Sequence, residues 1–346
     1  EVFIDLERAT WKENPGFDAV VGNPPYSTAL SRDDRQYIEI AFPKTGKGYK
    51  NLALHFIEMG WQRSAGLFGF IVPKSISYSE GWISAVKLLW PFLTHAVDAS
   101  KAWEEVRLEM IVVISTHRME TGTYRAGQFS NGKVTEFMVE KQRWERFAVI
   151  ITSMTESELR VAERIWQQSQ RMDNIADNYR GLGWQRLCRP SGTIEAVRGD
   201  AISRYQIDVN TFLPAYLLKD SNLSRQAQRY RLERIVAQNV VAHVTQPSDH
   251  IVIMAALASE NSIPLDTVNN LVIRHSMWGL RTLLAVLNST FMSWYTYRFV
   301  YNRAIRTMHF DAPYTGKLPI RRIAFTTPAG ERARLVEEGM DLTLPR

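Results

Sequence analysis

The sequence has little cysteine and no long apolar run. Cys188 is the one cysteine among 346 residues, so no intrachain disulfide can form, and no Cys/His spacing resembles a zinc or other metal site. The clean apolar runs, such as 251–258, are far shorter than the roughly 20 residues that a membrane-spanning helix needs. The N-terminal segment lacks the basic and apolar regions of a signal peptide. These absences exclude a disulfide-rich secreted protein and a membrane protein, and they favour the reducing cytoplasm.

A large excess of charge is also missing. The 42 Lys and Arg residues outnumber the 36 Asp and Glu residues by only six, which permits a polyanionic partner without requiring one. Hydrophobic residues make up 45% of the chain, which excludes low-complexity disorder. At this length we expect about two domains.

The first part of the chain alternates apolar strands with helical segments. A short Val-rich run at 17–22 predicts a buried strand that ends in a turn, and further strands are predicted at 67–73 and 110–115. Helices are predicted at 33–42, 51–63 and 81–92. This alternation is typical of a parallel α/β sheet.

After residue 150 the pattern changes. The sequence predicts a polar helix near 155–170, an irregular Gly/Arg-rich region at 180–205, mixed β structure at 235–275 and one long aromatic helix at 279–300. We therefore divide the chain into a first domain at 1–150, a helical linker at 151–175 and a second domain at 176–330.

The turn after the first strand carries the tetrapeptide Asn23-Pro24-Pro25-Tyr26. It lies at the carboxyl edge of the predicted sheet, where open α/β folds bind ligands. The Asn23 side-chain oxygen and the Pro24 carbonyl are two acceptors that could hold the protons of an aromatic amine and stabilise the positive charge that develops during methyl transfer. The prolines stiffen the turn, and Tyr26 offers a flat face for an extruded base. The alternative is a Pro-Pro turn that ends a strand, with Tyr26 packed locally.

These residues carry a family resemblance. The segment FDAVVGNPPY at 17–26 resembles motif IV of the amino-group DNA methyltransferases, in particular the adenine-N6 branch, and residues 1–26 resemble the segment that leads into it in type IIG restriction–modification methylases. GLFGFIVPKSIS resembles the next strand of that family and its Pro-Lys-Ser turn. Segments at 197–207, 234–244, 265–273, 283–295 and 309–320 resemble a TaqI-like C-terminal specificity domain.

The resemblance implies an α/β fold: the later strands of a Rossmann-like S-adenosylmethionine-dependent methyltransferase sheet, followed by a mixed α/β target-recognition domain. It implies methyl transfer from S-adenosylmethionine to the N6 of a flipped adenine in double-stranded DNA, in a restriction–modification or phage-defence system. Asn23, Pro24, Pro25 and Tyr26 would be the catalytic residues. In the family the cofactor loop lies upstream of the catalytic motif, but only 22 residues precede Asn23 here. We therefore expect the C-terminal part of a longer enzyme, or one half of a split gene, with the missing N-terminal half or a nuclease domain as a partner.

Several further residues are candidates for contacts with DNA. Trp103 stands where the family has an aromatic that could complete the stack around a flipped base, although a core tryptophan is the alternative. Most of the candidates for DNA contacts could equally lie on a solvated surface. They are Lys74, Arg204, Tyr205, Arg225, Arg229, Arg231, Arg303 and Arg306. Interleaved among them are Arg234, Arg298, Tyr230, Tyr297 and Tyr301. The resemblance favours Arg204 and Tyr205, which lie in the VRGDAISRY match.

Two other functions remain open at this point. Methyltransferases that act on protein glutamine or RNA guanine also carry NPPY, but they normally lack a long domain after the catalytic half. A non-catalytic DNA-binding fragment would keep the recognition domain and have no cofactor pocket.

Overall fold

The computed structural model describes residues 4–5, 10–11, 16–26, 29–47, 51–100, 102, 108–118, 120–208, 210, 213–215, 227–274, 278–305, 308–322 and 328–330. The chain divides into two compact units, Glu1–Thr155 (the first unit) and Glu156–Arg346 (the second unit). The boundaries predicted at 150 and 175 stay predictions. Within the described ranges, no helix has the length and apolar character that crossing a membrane requires.

The first unit is built on a six-stranded sheet with the strand order β3-β4-β6-β5-β7-β8. Its strands are β3 (Phe17–Gly22), β4 (Ser64–Pro73), β5 (Leu93–Asp98), β6 (Met110–Thr116), β7 (Thr123–Ser130) and β8 (Lys133–Glu140), and β1 (Ile4–Asp5) pairs separately with β2 (Thr10–Trp11). Its helices are α1 (Arg32–Ala41), α2 (Leu52–Arg63), α3 (Ile83–Leu89) and α4 (Arg143–Phe147), with short 3₁₀ turns at Lys74–Ser77, Glu80–Trp82 and Trp90–Phe92.

The sheet is mixed, which corrects the predicted parallel sheet while confirming the α/β class. β3 pairs with β4, and β5 pairs with β7, in parallel, whereas the pairs β4–β6, β5–β6 and β7–β8 are antiparallel. Apolar runs mark where strands lie but carry no information on their direction. One antiparallel pair does have a local signal, because Asn131 and Gly132 both have left-handed φ values in the tight β7–β8 turn, and Asn-Gly favours this hairpin turn.

Strand β3 lies at the edge of the sheet and is largely exposed. Among the described strands its neighbour is β4, and Val21 is 78% exposed. The predicted burial of this strand is therefore wrong in this structure. β4 behaves differently, because Phe68, Phe70 and Val72 alternate along one face and are buried. An apolar composition favours a strand, but the layer that covers each face decides its burial.

Local capping explains where the first two helices begin. The Asp34 backbone N–H donates to Ser31 Oγ at 3.1 Å, and the Ser31 N–H donates to the Asp34 carboxylate at 3.1 Å, which forms a capping box. At α2, Asn51 Oδ1 accepts the Ala53 N–H at 3.0 Å. Helix α2 contacts β3, β4 and α3, and it buries Leu54 on this side of the sheet. Both helices confirm the predictions for 33–42 and 51–63.

The second unit combines several small sheets with helices. Its strands are β9 (Ser169–Arg171), β10 (Ala176–Arg180), β11 (Ile194–Val197), β12 (Leu213–Ala215), β13 (Arg234–Gln238), β14 (Val240–Val241), β15 (His243–Val244), β16 (His250–Ile251), β17 (Ala255–Ala258), β18 (Ser262–Pro264), β19 (Val268–Ile273), β20 (Met308–His309) and β21 (Pro319–Arg321). The largest sheet has the antiparallel order β10-β19-β13-β17, and a second sheet has the order β12-β11-β18. The helices are α5 (Glu156–Gln167), α6 (Leu280–Asn288), α7 (Thr290–Tyr295) and α8 (Ala312–Thr315), and a π-helical turn at Thr296–Val300 follows α7.

The long aromatic helix predicted at 279–300 is broken at Ser289. This residue has an extended backbone, its N–H donates to the Val286 carbonyl at 3.2 Å, and its Oγ accepts the Met292 N–H at 3.0 Å. Ser289 thus ends α6 and caps α7 in one residue. The apolar periodicity continues across the break because both helices bury residues, such as Leu287 and Met292, in the same unit.

Candidate functional site

The Asn23–Tyr26 loop lies at the carboxyl ends of the parallel strands β3 and β4 in the first unit. Gly22, the last residue of β3, pairs with Phe70, and a Cβ on this glycine would meet the Phe70 ring at 3.2 Å. Asn23 and Pro25 are exposed, Pro24 is buried and Tyr26 is partly buried. The buried proline anchors the loop, while the amide of Asn23 stays accessible from outside.

Hydrogen bonds hold Tyr26 within this loop. Its hydroxyl contacts Asn23 Oδ1 and also lies 3.0 Å from the Ile71 carbonyl oxygen on β4. The Asn51 side chain donates to the Tyr26 carbonyl at 3.4 Å while it caps α2. Burial raises the pKa of the Tyr26 hydroxyl, so this group is a neutral hydrogen-bond donor at physiological pH. Sequence reasoning missed Ile71. It noted Asn51 only because Asn51-Leu52-Ala53 stands where many members of the similar family have Asp-Leu-Tyr, and it gave this residue no role.

The contact between Tyr26 and Asn23 bears on what the loop can bind. An amide oxygen accepts two hydrogen bonds, one for each lone pair, and here the phenol hydroxyl uses one of them. An incoming amine can therefore share Asn23 Oδ1 with Tyr26 or take the place of the hydroxyl. The arrangement provides an exposed acceptor for an N–H group with an aromatic ring beside it.

A buried ion pair also lies at the carboxyl end of β4. Lys74 directly follows β4, is 2% exposed, and places its Nζ 2.6 Å from Asp98 and 3.7 Å from Glu109. Both carboxylates are also buried. A side chain enclosed in this way cannot reach a DNA phosphate without breaking the ion pair, so we remove Lys74 from the candidate DNA contacts.

In the second unit, the structure separates the arginines that looked alike in the sequence. Arg234 is buried, and its guanidinium donates to Asn270 Oδ1 and to the carbonyls of Leu232, Ser259 and Ser262. Arg298 and Arg303 both pair with the Glu158 carboxylate, at 2.6 and 2.7 Å. Tyr230, Tyr297 and Tyr301 are buried too. The burial of Arg234 and of the three tyrosines contradicts the expectation that they contact DNA, whereas DNA contacts by the partly exposed Arg298 and Arg303 stay predictions.

Other predicted contacts remain accessible. Arg229 is exposed and lies over the rings of Tyr179 and Tyr230, at 5.1 and 4.8 Å from their centres. Arg231 is exposed as well. The Arg204 guanidinium donates to the Asn288 carbonyl at 2.6 Å, and its exposed side chain lies 5.8 Å from the centre of the Tyr205 ring.

Three predicted site residues, Trp103, Arg225 and Arg306, lie outside the described residues. Among the residues that are described, no group of three or more His, Cys, Asp or Glu side chains is placed to hold a metal ion.

Two segments of the chain match known protein-family models. Residues 1–88 match the sequence model of the Eco57I restriction-modification methylase, and residues 194–320 match that of the TaqI-like C-terminal specificity domain. No curated protein sequence matches the chain.

The chain shares its fold with a solved restriction-modification enzyme. The chain is similar to the type IIL restriction-modification enzyme MmeI in complex with DNA, with 12% identity and a TM-score of 0.52 over 85% of this chain and 45% of that one. It is also similar to the type IIG restriction endonuclease BpuSI, with 14% identity and a TM-score of 0.39 over 95% of this chain and 50% of that one. A third match is the DrdV–DNA complex, with 10% identity and a TM-score of 0.34 over 73% of this chain and 36% of that one. The chain thus spans about half the length of the first two enzymes.

Proposed function

We propose that this chain, which joins a segment of the Eco57I restriction-modification methylase family at 1–88 to a TaqI-like C-terminal specificity domain at 194–320, carries the catalytic loop and the recognition part of a site-specific adenine-N6 DNA methyltransferase. The methyl donor in this proposal is S-adenosylmethionine. The observation that carries it is the exposed amide of Asn23 beside Tyr26, in a rigid Asn-Pro-Pro-Tyr loop within the methylase match.

The proposed chemistry depends on how an aromatic amine is held. Its lone pair is delocalised into the ring, so it is a weak nucleophile. Asn23 Oδ1 and the Pro24 carbonyl accept its two N–H groups, which favours tetrahedral nitrogen and stabilises the positive charge that forms as the nitrogen attacks. Tyr26 stacks on the extruded base, and its hydroxyl exchanges Asn23 for the Ile71 carbonyl as the amine arrives. None of these residues forms a covalent intermediate with the base in this proposal.

The two buried acidic residues that pair with Lys74 do not fit the cofactor. The two carboxylates buried at this edge of the sheet, Asp98 and Glu109, already have Lys74 as their counter-charge, so neither is available to a sulfonium cation or to ribose hydroxyls. We therefore derive no step through S-adenosylmethionine. The role proposed for these residues is limited to holding and orienting the base.

The second unit is proposed to read a short sequence in double-stranded DNA. Support comes from the match to a specificity domain and from the accessible guanidinium groups of Arg204, Arg229 and Arg231. MmeI, which this chain resembles in fold, is solved in complex with DNA.

Replacing Asn23 with alanine tests the catalytic role in the complete enzyme. We expect Asn23→Ala to lower the rate of N6-methyladenine formation on duplex DNA at least 100-fold, as measured by mass spectrometry of digested DNA, while leaving DNA affinity near normal. Gln36→Ala is the matched control, because Gln36 is an exposed side-chain amide on α1. Methylation by Asn23→Ala at a rate near that of wild type would contradict the proposal. Methylation of protein glutamine or RNA guanine in place of DNA would identify another NPPY enzyme.

The poor fit to the cofactor favours one alternative, a DNA-binding fragment without activity of its own. Calorimetry of this chain with S-adenosylmethionine separates the two. A measurable heat of binding supports an enzyme, whereas DNA binding without cofactor binding supports the fragment.

A further inference from the structure

A second site lies in the second unit, remote in sequence from the catalytic loop. A cavity of about 610 Å³ opens between α5, α6, α7 and strand β21. Its volume lies within the range of roughly 300–1,000 Å³ that is typical of small-molecule sites. The walls are mostly apolar and include Ile165, Val286 and Met292.

The cavity contains an unsatisfied polar group. Thr282 on α6 is 2% exposed and lines the cavity, and its Oγ1 has no hydrogen-bond partner within the described parts of the chain. Buried hydroxyls without a partner are rare in folded proteins because leaving one unpaired is unfavourable. A ligand with a hydrogen-bonding edge would satisfy this hydroxyl.

Aromatic side chains line the same space. Trp278 is buried, Phe291 is 44% exposed, and Tyr205 lies between these values. Tyr205 has a left-handed backbone with φ of 69°, a conformation unfavourable for a bulky residue, and its N–H donates to the Ala255 carbonyl at 2.8 Å. The fold therefore holds a tyrosine ring at the cavity at a conformational cost. Three aromatic rings favour a planar aromatic ligand.

The charged lining residues are all of one sign. Arg164 and Arg321 line the cavity, and the described residues that line it include no Asp or Glu. A sulfonium cation such as the methyl donor would have no counter-charge here. A phosphate attached to an aromatic group would have two guanidinium partners.

We propose that this cavity binds one unstacked nucleotide, with the base among Tyr205, Trp278 and Phe291, a polar edge of the base on Thr282 and the phosphate at Arg164 and Arg321. Two sources share this chemistry, a free mononucleotide and a nucleotide turned out of a DNA strand. The site does not depend on the catalytic role of Asn23, and the proposal extends the contribution of Tyr205 from a surface DNA contact to the wall of a pocket.

Binding of deoxynucleoside 5′-monophosphates to the full chain tests the proposal, with saturation-transfer NMR to detect contact and calorimetry to measure affinity. We expect monophosphates to bind more tightly than the corresponding nucleosides, because only they carry the phosphate. Thr282→Val removes the hydroxyl with little change of shape and should weaken binding roughly 3- to 10-fold. Phe291→Ala should weaken it by a similar or larger factor. The double variant Arg164→Gln/Arg321→Gln should abolish the preference for monophosphates over nucleosides.

Matched controls are available on the same helices. Arg160→Gln changes an exposed arginine on α5 that does not line the cavity, and Thr290→Val changes an exposed threonine at the start of α7. Neither should alter nucleotide binding, and thermal unfolding of all variants checks that they fold.

A duplex-binding measurement separates the two sources. If the nucleotide comes from DNA, the Thr282 and Phe291 variants also weaken duplex affinity, whereas a free nucleotide leaves duplex affinity unchanged. The proposal is overturned if monophosphates do not bind and duplex affinity is the same in all variants. It is equally overturned if monophosphates bind but none of the cavity variants lowers the affinity for them.

Discussion

We predict that Lys74 stabilises the first unit through its buried ion pair and does not contact DNA. Lys74→Met keeps most of the side-chain volume but removes the ammonium that lies 2.6 Å from Asp98 and 3.7 Å from Glu109. The buried Asp98 carboxylate then loses the ammonium that it contacts, and Glu109 loses its longer contact with the same group. Removing one partner from a buried pair typically costs about 3–5 kcal/mol, and we expect a loss of this size because the Asp98 carboxylate stays buried after its close ammonium partner is removed.

Urea unfolding measures this loss. With an m-value of about 1–3 kcal/mol per molar urea, the midpoint for the first unit should fall by about 1–5 M. Lys87→Met is the control, since Lys87 is an exposed lysine on α3, and its effect should stay within about 0.5 kcal/mol. Adding Asp98→Leu and Glu109→Leu to Lys74→Met should recover much of the stability, because an apolar cluster can replace a buried ionic one.

The contrary result is equally clear. If Lys74→Met unfolds at the wild-type urea concentration and loses affinity for DNA, the lysine contacts phosphate as its sequence position first indicated. The burial of the ion pair would then not describe the protein in solution.

Three further predictions concern hydrogen bonding and protonation. Arg234→Lys should lower the free energy of unfolding by about 2–4 kcal/mol in thermal or urea melts, because one ammonium cannot replace the buried guanidinium fork and leaves carbonyls unpaired; an unchanged melt would contradict this. Burial lowers the pKa of Lys141 to about 8 from its ordinary 10.5, although Glu120 opposes the shift, so between these values the unfolded chain binds more protons than the folded one. Stability should accordingly rise from pH 8 to pH 10.5, and urea melts of Lys141→Met should lack that rise. Tyr26→Phe keeps the ring but frees Asn23 Oδ1, so the methylation rate of the complete enzyme should stay within about tenfold of wild type. Tyr26→Ala removes the ring and should lower that rate far more. Equal losses of rate in the two variants would contradict a stacking role.

The elements with strong local signals were predicted well. The helices expected at 33–42 and 51–63 are α1 and α2, and the strands expected at 67–73 and 110–115 lie within β4 and β6. These predictions worked because the caps at Ser31 and Asn51 and the apolar periodicity are encoded by residues next to one another. Strands β7 and β8 were missed, although the Asn-Gly turn between them is a local hairpin signal.

The candidate site also combines residues that are adjacent in the sequence with partners that are distant in it. The Asn23–Tyr26 loop could be found because four specific residues stand together directly after an apolar strand. Its partners could not, since Ile71 lies 45 positions away from Tyr26 and contributes only a backbone carbonyl. Thr282 and Tyr205 likewise meet at one cavity although no local pattern links them.

By itself, the sequence determined the α/β class, the main helices of the first unit and the place of the Asn-Pro-Pro-Tyr loop directly after a strand, because each depends on neighbouring residues. Tertiary structure alone decided the mixed strand directions, the exposure of β3 and which basic side chains are buried. Lys74 and Arg234 are buried, while Arg229 and Arg231 are exposed. The physical reason is that burial and pairing are set by elements far apart in the chain. A lysine or arginine carries the same charge wherever it stands, and only the surrounding fold determines whether that charge meets a carboxylate, a carbonyl or solvent.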